Sequence, residues 1–234
     1  MMLDFAVVLE PDNLKLYGEG LLTTIKLLVI ALACGLAASV PLAVLRVSNS
    51  KLASLPVWGF TYVIRGTPML LQLYLIYYGL SQFEAVRESA AWSLLSDAWF
   101  CAMLSLAINT CAYTTEMLAG ALRATSHGEI EAARSMGMSR FTLYRRVLLP
   151  SALRRSLPAY SNEVVMMLHA TSLASTVTLL DITGAADRLY STYYMPFEPF
   201  IAAALFYLAL TWLIVRLFRR FERRYLAYLA PRTH

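Results

Sequence analysis

The stretch from Ser126 to Pro150, SHGEIEAARSMGMSRFTLYRRVLLP, lies between strongly apolar segments yet is dense in Arg, Glu and His. A segment of that composition cannot itself sit in lipid. Ser126 and Glu129 form an S-x-x-E capping box, which satisfies free backbone N–H groups at a helix start. Ile130, Ala133 and Met136 then recur at helical spacing, and Gly137 suits the C′ position that ends a short helix. Ser139 caps a second helix, whose Phe141, Tyr144 and Leu148 share one face before Pro150. Two short helices joined at a glycine predict a rigid elbow at a membrane surface, a shape suited to docking a soluble partner.

The flanks decide the solvent. Of 234 residues, 59% are hydrophobic and mean hydropathy is +0.56, with several apolar windows of about twenty residues. That pattern predicts an all-α integral membrane protein with about five transmembrane helices, near residues 20–45, 55–80, 98–122, 157–180 and 200–217. Residues 1–19 read as an extracytoplasmic N-terminal tail and 223–234 as a cytoplasmic tail. Between them, 20–222 form one transmembrane domain containing the elbow loop, 123–156. The acidic Asp4, Glu10 and Asp12 do not suit the basic start of a cleaved signal peptide. Cys34, Cys101 and Cys111 fall within apolar segments without C-x-x-C pairing, so they read as small hydrophobes rather than disulfide or metal ligands.

The net charge of +5 sits beside spans rather than on a soluble face, which argues for positive-inside bias and against nucleic acid. Arg46, Lys51, the arginines of the elbow and the basic residues from Arg216 onward belong to one set of connections. The opposite set has only Lys15, Arg87 and Arg188 among many acids. The elbow and C-terminus are therefore expected in the cytoplasm and the N-terminus outside. An odd number of spans gives the same arrangement independently.

Absences narrow the chemistry. There is no G-x-x-x-x-G-K-[ST] loop for nucleotide phosphates, no H-E-x-x-H, and no G-x-S-x-G around a serine. Intramembrane ionisable groups are then the functional candidates. An acid at mid-helix costs about 2.5–3.5 kcal/mol on insertion scales, and Glu163 occupies such a position. At an effective dielectric near 20, a cation about 4 Å from it would interact by roughly 4 kcal/mol. Arg65, in the sequence Arg65-Gly66-Thr67-Pro68, can pair with a carboxylate from a substrate or from another helix. Thr171 and Ser172 offer hydroxyls to a ligand or to neighbouring helices. Glu163, Arg65, Thr171 and Ser172 form the candidate substrate set. No residue is assigned a catalytic or metal-binding role.

Glu131-Ala132-Ala133, followed by Gly137 and then Val147-x-Leu149-Pro150, resembles the EAA-x3-G-x9-hydrophobic-x-Leu-Pro signature of membrane subunits of bacterial ABC importers. In that family the signature forms the coupling helix that docks on the ATP-hydrolysing subunit. The resemblance gives that role to Glu131, Ala132, Ala133 and Gly137 and implies the type I importer permease fold. YVIRGTPMLLQL, INTCAYTTEMLAGALRA and PSALRRSLPAYSNEVVMMLHATSLAS resemble the polar amino acid branch. Together with the LAYLAPRTH tail they are similar to the M-type permease subunit of histidine, lysine, arginine and ornithine importers.

The resemblance implies an inner-membrane permease that is not itself an enzyme and moves basic amino acids by alternating access. Its implied partners are a homologous Q-type permease, two ATP-binding subunits, a periplasmic binding protein and membrane lipid. ATP and Mg would lie on the ATPase, with no cofactor on this chain. Many relatives have Lys-Asp before Thr-Ser-Leu, where this chain has His169-Ala170. The alternatives are an ion- or proton-coupled secondary transporter and, more remotely, an intramembrane enzyme.

Overall fold

The computed structural model describes residues 5–226, and among these the chain is helical without strands. The last residues assigned to the cytoplasmic tail lie outside that range. Helix α1 spans Pro11–Arg46; Pro11 occupies its first turn, with Asp12 beside it and Arg46 in the last turn, complementing the helix dipole at both ends. The helix therefore begins within the segment expected to be a tail. Tyr17 anchors that extension: it is fully buried, donates its hydroxyl to Pro199 O at 2.7 Å and stacks on Phe206.

Helix α2, Lys51–Arg65, stops at Gly66-Thr67-Pro68, and α3, Met69–Tyr74, resumes beyond the proline. Pro68 lacks the N–H a continuous helix needs and disfavours helical backbone at Thr67, so the expected second span is broken. A π-helical turn, Leu75–Gly79, and short turns lead to α4, Ala98–Arg123. Asp97 caps α4 by accepting from the backbone N–H groups of Trp99 and Phe100.

The elbow contains α5, His127–Ser135, and a short helix, Arg140–Leu143, that continues as a π-helical turn, Tyr144–Leu148. Helix α6, Leu149–Ala170, tightens into a 3-10 segment, Thr171–Val177, and ends at left-handed Thr178 with φ +69°. Helices α7, Ile182–Tyr193, and α8, Glu198–Tyr225, complete the described chain. The expected loop from Asp181 to Pro199 is thus largely helical, because Asp181 caps α7 by accepting from Gly184 N at 2.8 Å.

Helix α1 and α4 form the central pair, meeting through Leu27, Leu28, Ala31, Ala102, Leu106 and Ala107. Gly35 permits their close approach: a Cβ there would overlap Thr110 Cγ2 and lie 3.0 Å from Ala107 O. Small residues at such crossings allow helix backbones in lipid to pack without a large aqueous hydrophobic driving force. Gly20 serves the crossing of α1 with α7, where an added Cβ would come within 2.5 Å of Asp181 O. Tyr207 of α8 donates to Asp181 Oδ2 at 3.0 Å, fastening the same corner.

Among the described residues, two helices are long and apolar enough to cross a membrane outright, Pro11–Arg46 and Glu198–Tyr225. The pair Arg140–Val177 and Ile182–Tyr193, bent by 44°, adds a third if it forms one span. The other expected spans carry structural reasons for weaker signals. One is broken at Pro68, and α4 bears Asn109, Thr110, Thr114, Thr115 and Glu116 in succession.

Candidate functional site

The break between α2 and α3 opens a cavity of about 620 Å³ beside α4 and α6. Arg65 and the following Gly66-Thr67-Pro68-Met69 form one wall, Asn109 and Tyr113 the second, and residues from Asn162 to Ala170 of α6 the third. Among the described residues Glu163 is the only carboxylate in its lining, facing the same space as Arg65. The Arg65 guanidinium lies 5.2 Å from the Tyr113 ring centroid, on the wall facing Glu163. A cavity with one cationic and one anionic wall group can hold a zwitterionic or cationic ligand in a defined orientation.

Amides hold the broken backbone open. Gln72 Nε2 donates to Ile64 O at 2.7 Å and Thr67 O at 3.0 Å, while Asn109 Nδ2 donates to Gln72 Oε1 at 2.9 Å. Carbonyls released by the proline break thus find partners within the protein, as membrane-depth irregular backbone requires. The sequence carries no distinctive signal for Gln72, since an uncharged amide inside an apolar run is common in packed membrane helices.

Thr171 and Ser172 do not join the cavity. Their hydroxyls donate to Leu168 O at 2.6 Å and His169 O at 2.7 Å, because the 3-10 turn brings each side chain over the carbonyl three residues earlier. His169 also points elsewhere, its Nε2 lying 3.2 Å from Thr211 Oγ1 on α8. Ala170, where the Lys-Asp pattern has its acid, does line the cavity. Among the described residues no group of three or more His, Cys, Asp or Glu is placed to hold a metal ion.

Glu116 enters a separate ion pair. Its Oε1 accepts from Arg46 Nε at 2.6 Å and from Thr61 Oγ1 at 2.7 Å, joining α4 to both α1 and α2. Its place seven residues before Arg123 suggests a local role at the end of α4; the structure gives it partners on two other helices.

The elbow forms with the serine side of the expected capping box, the second serine cap and the glycine turn. Ser126 accepts from Glu129 N at 3.3 Å, Ser139 accepts from Thr142 N at 3.3 Å, and Gly137 adopts φ +74°. Ala133 is buried among Leu118, Leu122, Leu143 and Leu148, fixing α5 to the membrane body, while Glu131, Ala132 and Gly137 remain exposed. The second half departs from the expected Phe141–Tyr144–Leu148 face. Phe141 is 73% exposed while Leu143 and Leu148 are buried, since the π-helical turn widens the repeat and rotates the later residues. Phe141 and Met136, 71% exposed, leave large apolar side chains on the elbow.

Residues 25–227 match the family described as "binding-protein-dependent transport system inner membrane component". The chain is 46% identical over 218 residues to the histidine/lysine/arginine/ornithine transport system permease protein HisM of Salmonella typhimurium, covering 91% of each. It is also 46% identical over 196 residues to the nopaline transport system permease protein NocM of Agrobacterium fabrum, covering 83% of this chain and 81% of NocM. The solved structure described as an amino acid ABC transporter with histidines superposes with a TM-score of 0.83 at 34% identity, covering 96% of this chain and all of that one. An inward-facing MetNI methionine ABC transporter, at 17% identity and TM-score 0.74, shares the fold over 92% of this chain and 99% of its own. The chain therefore belongs to the binding-protein-dependent inner membrane components: it is a permease subunit of an ABC importer, and ATP hydrolysis belongs to a separate subunit.

Proposed function

We propose that this permease imports basic L-amino acids, with arginine, ornithine, lysine and histidine as its substrate class. The observation that carries the proposal is the shared cavity of Arg65 and Glu163, where the Glu163 carboxylate can select a positively charged side chain. Arg65 can meet the substrate carboxylate with paired N–H donors. The substrates in the name of HisM support the same class. Thr171 and Ser172 act in this reading by holding the turn beneath the cavity rather than by touching substrate.

The family works with a partner permease, an ATPase and a binding protein. The specific assembly proposed is a heterodimer with a Q-type permease, two ATP-binding subunits carrying ATP and Mg, and a periplasmic protein that delivers the amino acid. The N-terminus lies outside and the C-terminus in the cytoplasm. The exposed Glu131, Ala132, Met136 and Phe141 form the face toward the ATPase, and Ala133 and Gly137 fix its shape. Movement of the elbow with nucleotide then exposes the cavity alternately to each side.

Coexpression and purification with the nucleotide-binding subunit, followed by uptake in vesicles, tests this reading. ATP-dependent arginine uptake, inhibited by ornithine, lysine and histidine, is expected. Uptake driven by an ion gradient without the ATPase, or indifference to basic amino acids, overturns it.

A further inference from the structure

Arg65 lines three adjoining cavities, of about 620, 440 and 380 Å³. Glu163 belongs to the first and second, and Glu116 to the second and third. The three spaces adjoin around Arg65, with Glu163 a common wall of the first two and Glu116 of the last two. Glu163 shares the first cavity with Asn109 and Tyr113, both farther from the Arg123 end of α4 than Glu116, and Glu116 pairs with Arg46, the last residue of α1. Glu116 lies only about 10 Å from the Arg123 end of α4. In the proposed orientation the Arg123 end of α4 and the Arg46 end of α1 are cytoplasmic, so Glu116 stands closer to the inside than the cavity shared by Glu163, Asn109 and Tyr113.

The contacts of Glu116 suit exchange. Arg46 and Thr61 both donate to Oε1, and Oε2 receives no hydrogen bond from the described residues, leaving an acceptor for an incoming N–H. Arg46 and Glu116 side chains are only partly buried, 18% and 16% exposed, and both line the third cavity. Arg46 carries the same guanidinium group as an arginine substrate. Replacing one guanidinium by another preserves the charge and hydrogen-bond type, so the exchange is nearly balanced rather than a separation of ions. Arg65 lines the second cavity together with both acids.

We propose that Glu116 is a second, inner binding site for the cationic substrate, which displaces Arg46 from its carboxylate after leaving Glu163 and before release into the cytoplasm. This rests on the basic-amino-acid reading and extends it from one carboxylate to two. Arg46 is then the resting occupant of the inner site, and the pairing closes the path when no substrate is passing.

The competing role is a clamp between α1, α2 and α4. Glu116→Gln keeps the size of the side chain and an acceptor for Thr61 and Arg46 but removes the charge. In the reconstituted four-subunit complex, its arginine turnover should fall about tenfold while the half-saturating arginine concentration stays near wild type; that fall corresponds to about 1.4 kcal/mol. Histidine near pH 8, where the ordinary imidazole pKa of about 6.5 leaves it neutral, should lose much less. Arg46→Gln removes the competitor and should raise arginine turnover.

A clamp predicts the reverse of that pattern: both variants lose assembly or turnover together, for arginine and neutral histidine alike, which overturns the second site. Unchanged arginine turnover in Glu116→Gln also overturns it. Glu163→Gln measured beside them separates the two claims, since failure of the first site appears as an unchanged half-saturating arginine concentration.

Discussion

Asn109 Nδ2 donates a 2.9 Å hydrogen bond to Gln72 Oε1, joining the middle of α4 to the segment just beyond the proline break. Gln72 turns its own amide back to Ile64 O and Thr67 O, so one side chain secures both edges of the break. The cavity wall carrying Arg65 depends on this pair. Gln72→Leu would leave buried carbonyls and the Asn109 amide without these partners, at about 1–3 kcal/mol for each unsatisfied group. A lower melting temperature of the purified complex and a higher half-saturating arginine concentration are expected. A stable complex with unaltered arginine kinetics would show that the amides are not needed to hold the wall.

Gly137 illustrates a different constraint. A Cβ there would meet open space, but the backbone has φ +74°, so the glycine is required for conformation rather than clearance. Left-handed backbone costs an L-residue about 1–2 kcal/mol, with Asn tolerated best and β-branched residues worst. Coupling, measured as transport and substrate-stimulated ATP hydrolysis, should decline in the order Asn, Ala, Val at position 137 while the permease pair still inserts. Normal transport by Gly137→Val would remove the coupling role of this turn.

Ala170 lines the main cavity at the position of the acid in the Lys-Asp pattern. Ala170→Asp should add a second carboxylate beside Glu163 and lower the half-saturating arginine concentration about tenfold, equivalent to 1.4 kcal/mol. Direct arginine titration of the purified complex measures this. An unchanged affinity would place the substrate cation away from this part of α6.

Orientation is open to test through fusions. A reporter active only in the cytoplasm should work in the connection at 47–50, within the elbow and after His234. Fusions near Glu88 or in the turn between α7 and α8 should report the outside. A silent reporter in the elbow would contradict both the orientation and the docking role.

The local chemistry of the elbow was legible because its signals are short-range: Ser126, Ser139 and Gly137 each act within four residues. Glu163 and Arg65 were legible as charged residues in apolar sequence, though their common cavity depends on three separate helices. Hydrogen bonds from Thr171 and Ser172 to their own turn were not, because a 3-10 segment and an α-helix share the same composition at this length. The π-helical turn likewise hid the outward position of Phe141. Nor does sequence spacing show Glu116 reaching Arg46, which lies 70 residues away.

Glu163 is proposed to select positively charged substrates within the cavity it shares with Arg65. Its most direct test is transport of arginine, ornithine and histidine by the reconstituted complex carrying Glu163→Gln, with ATP hydrolysis followed alongside. The substitution preserves size and most hydrogen bonding but removes the charge. Loss of about 1.4 kcal/mol of differential binding would lower transport efficiency about tenfold. At pH 7.5 the loss should be larger for arginine and ornithine than for mostly neutral histidine, with assembly intact. Equal losses for all three with poor assembly, or no change in any, would contradict the assignment.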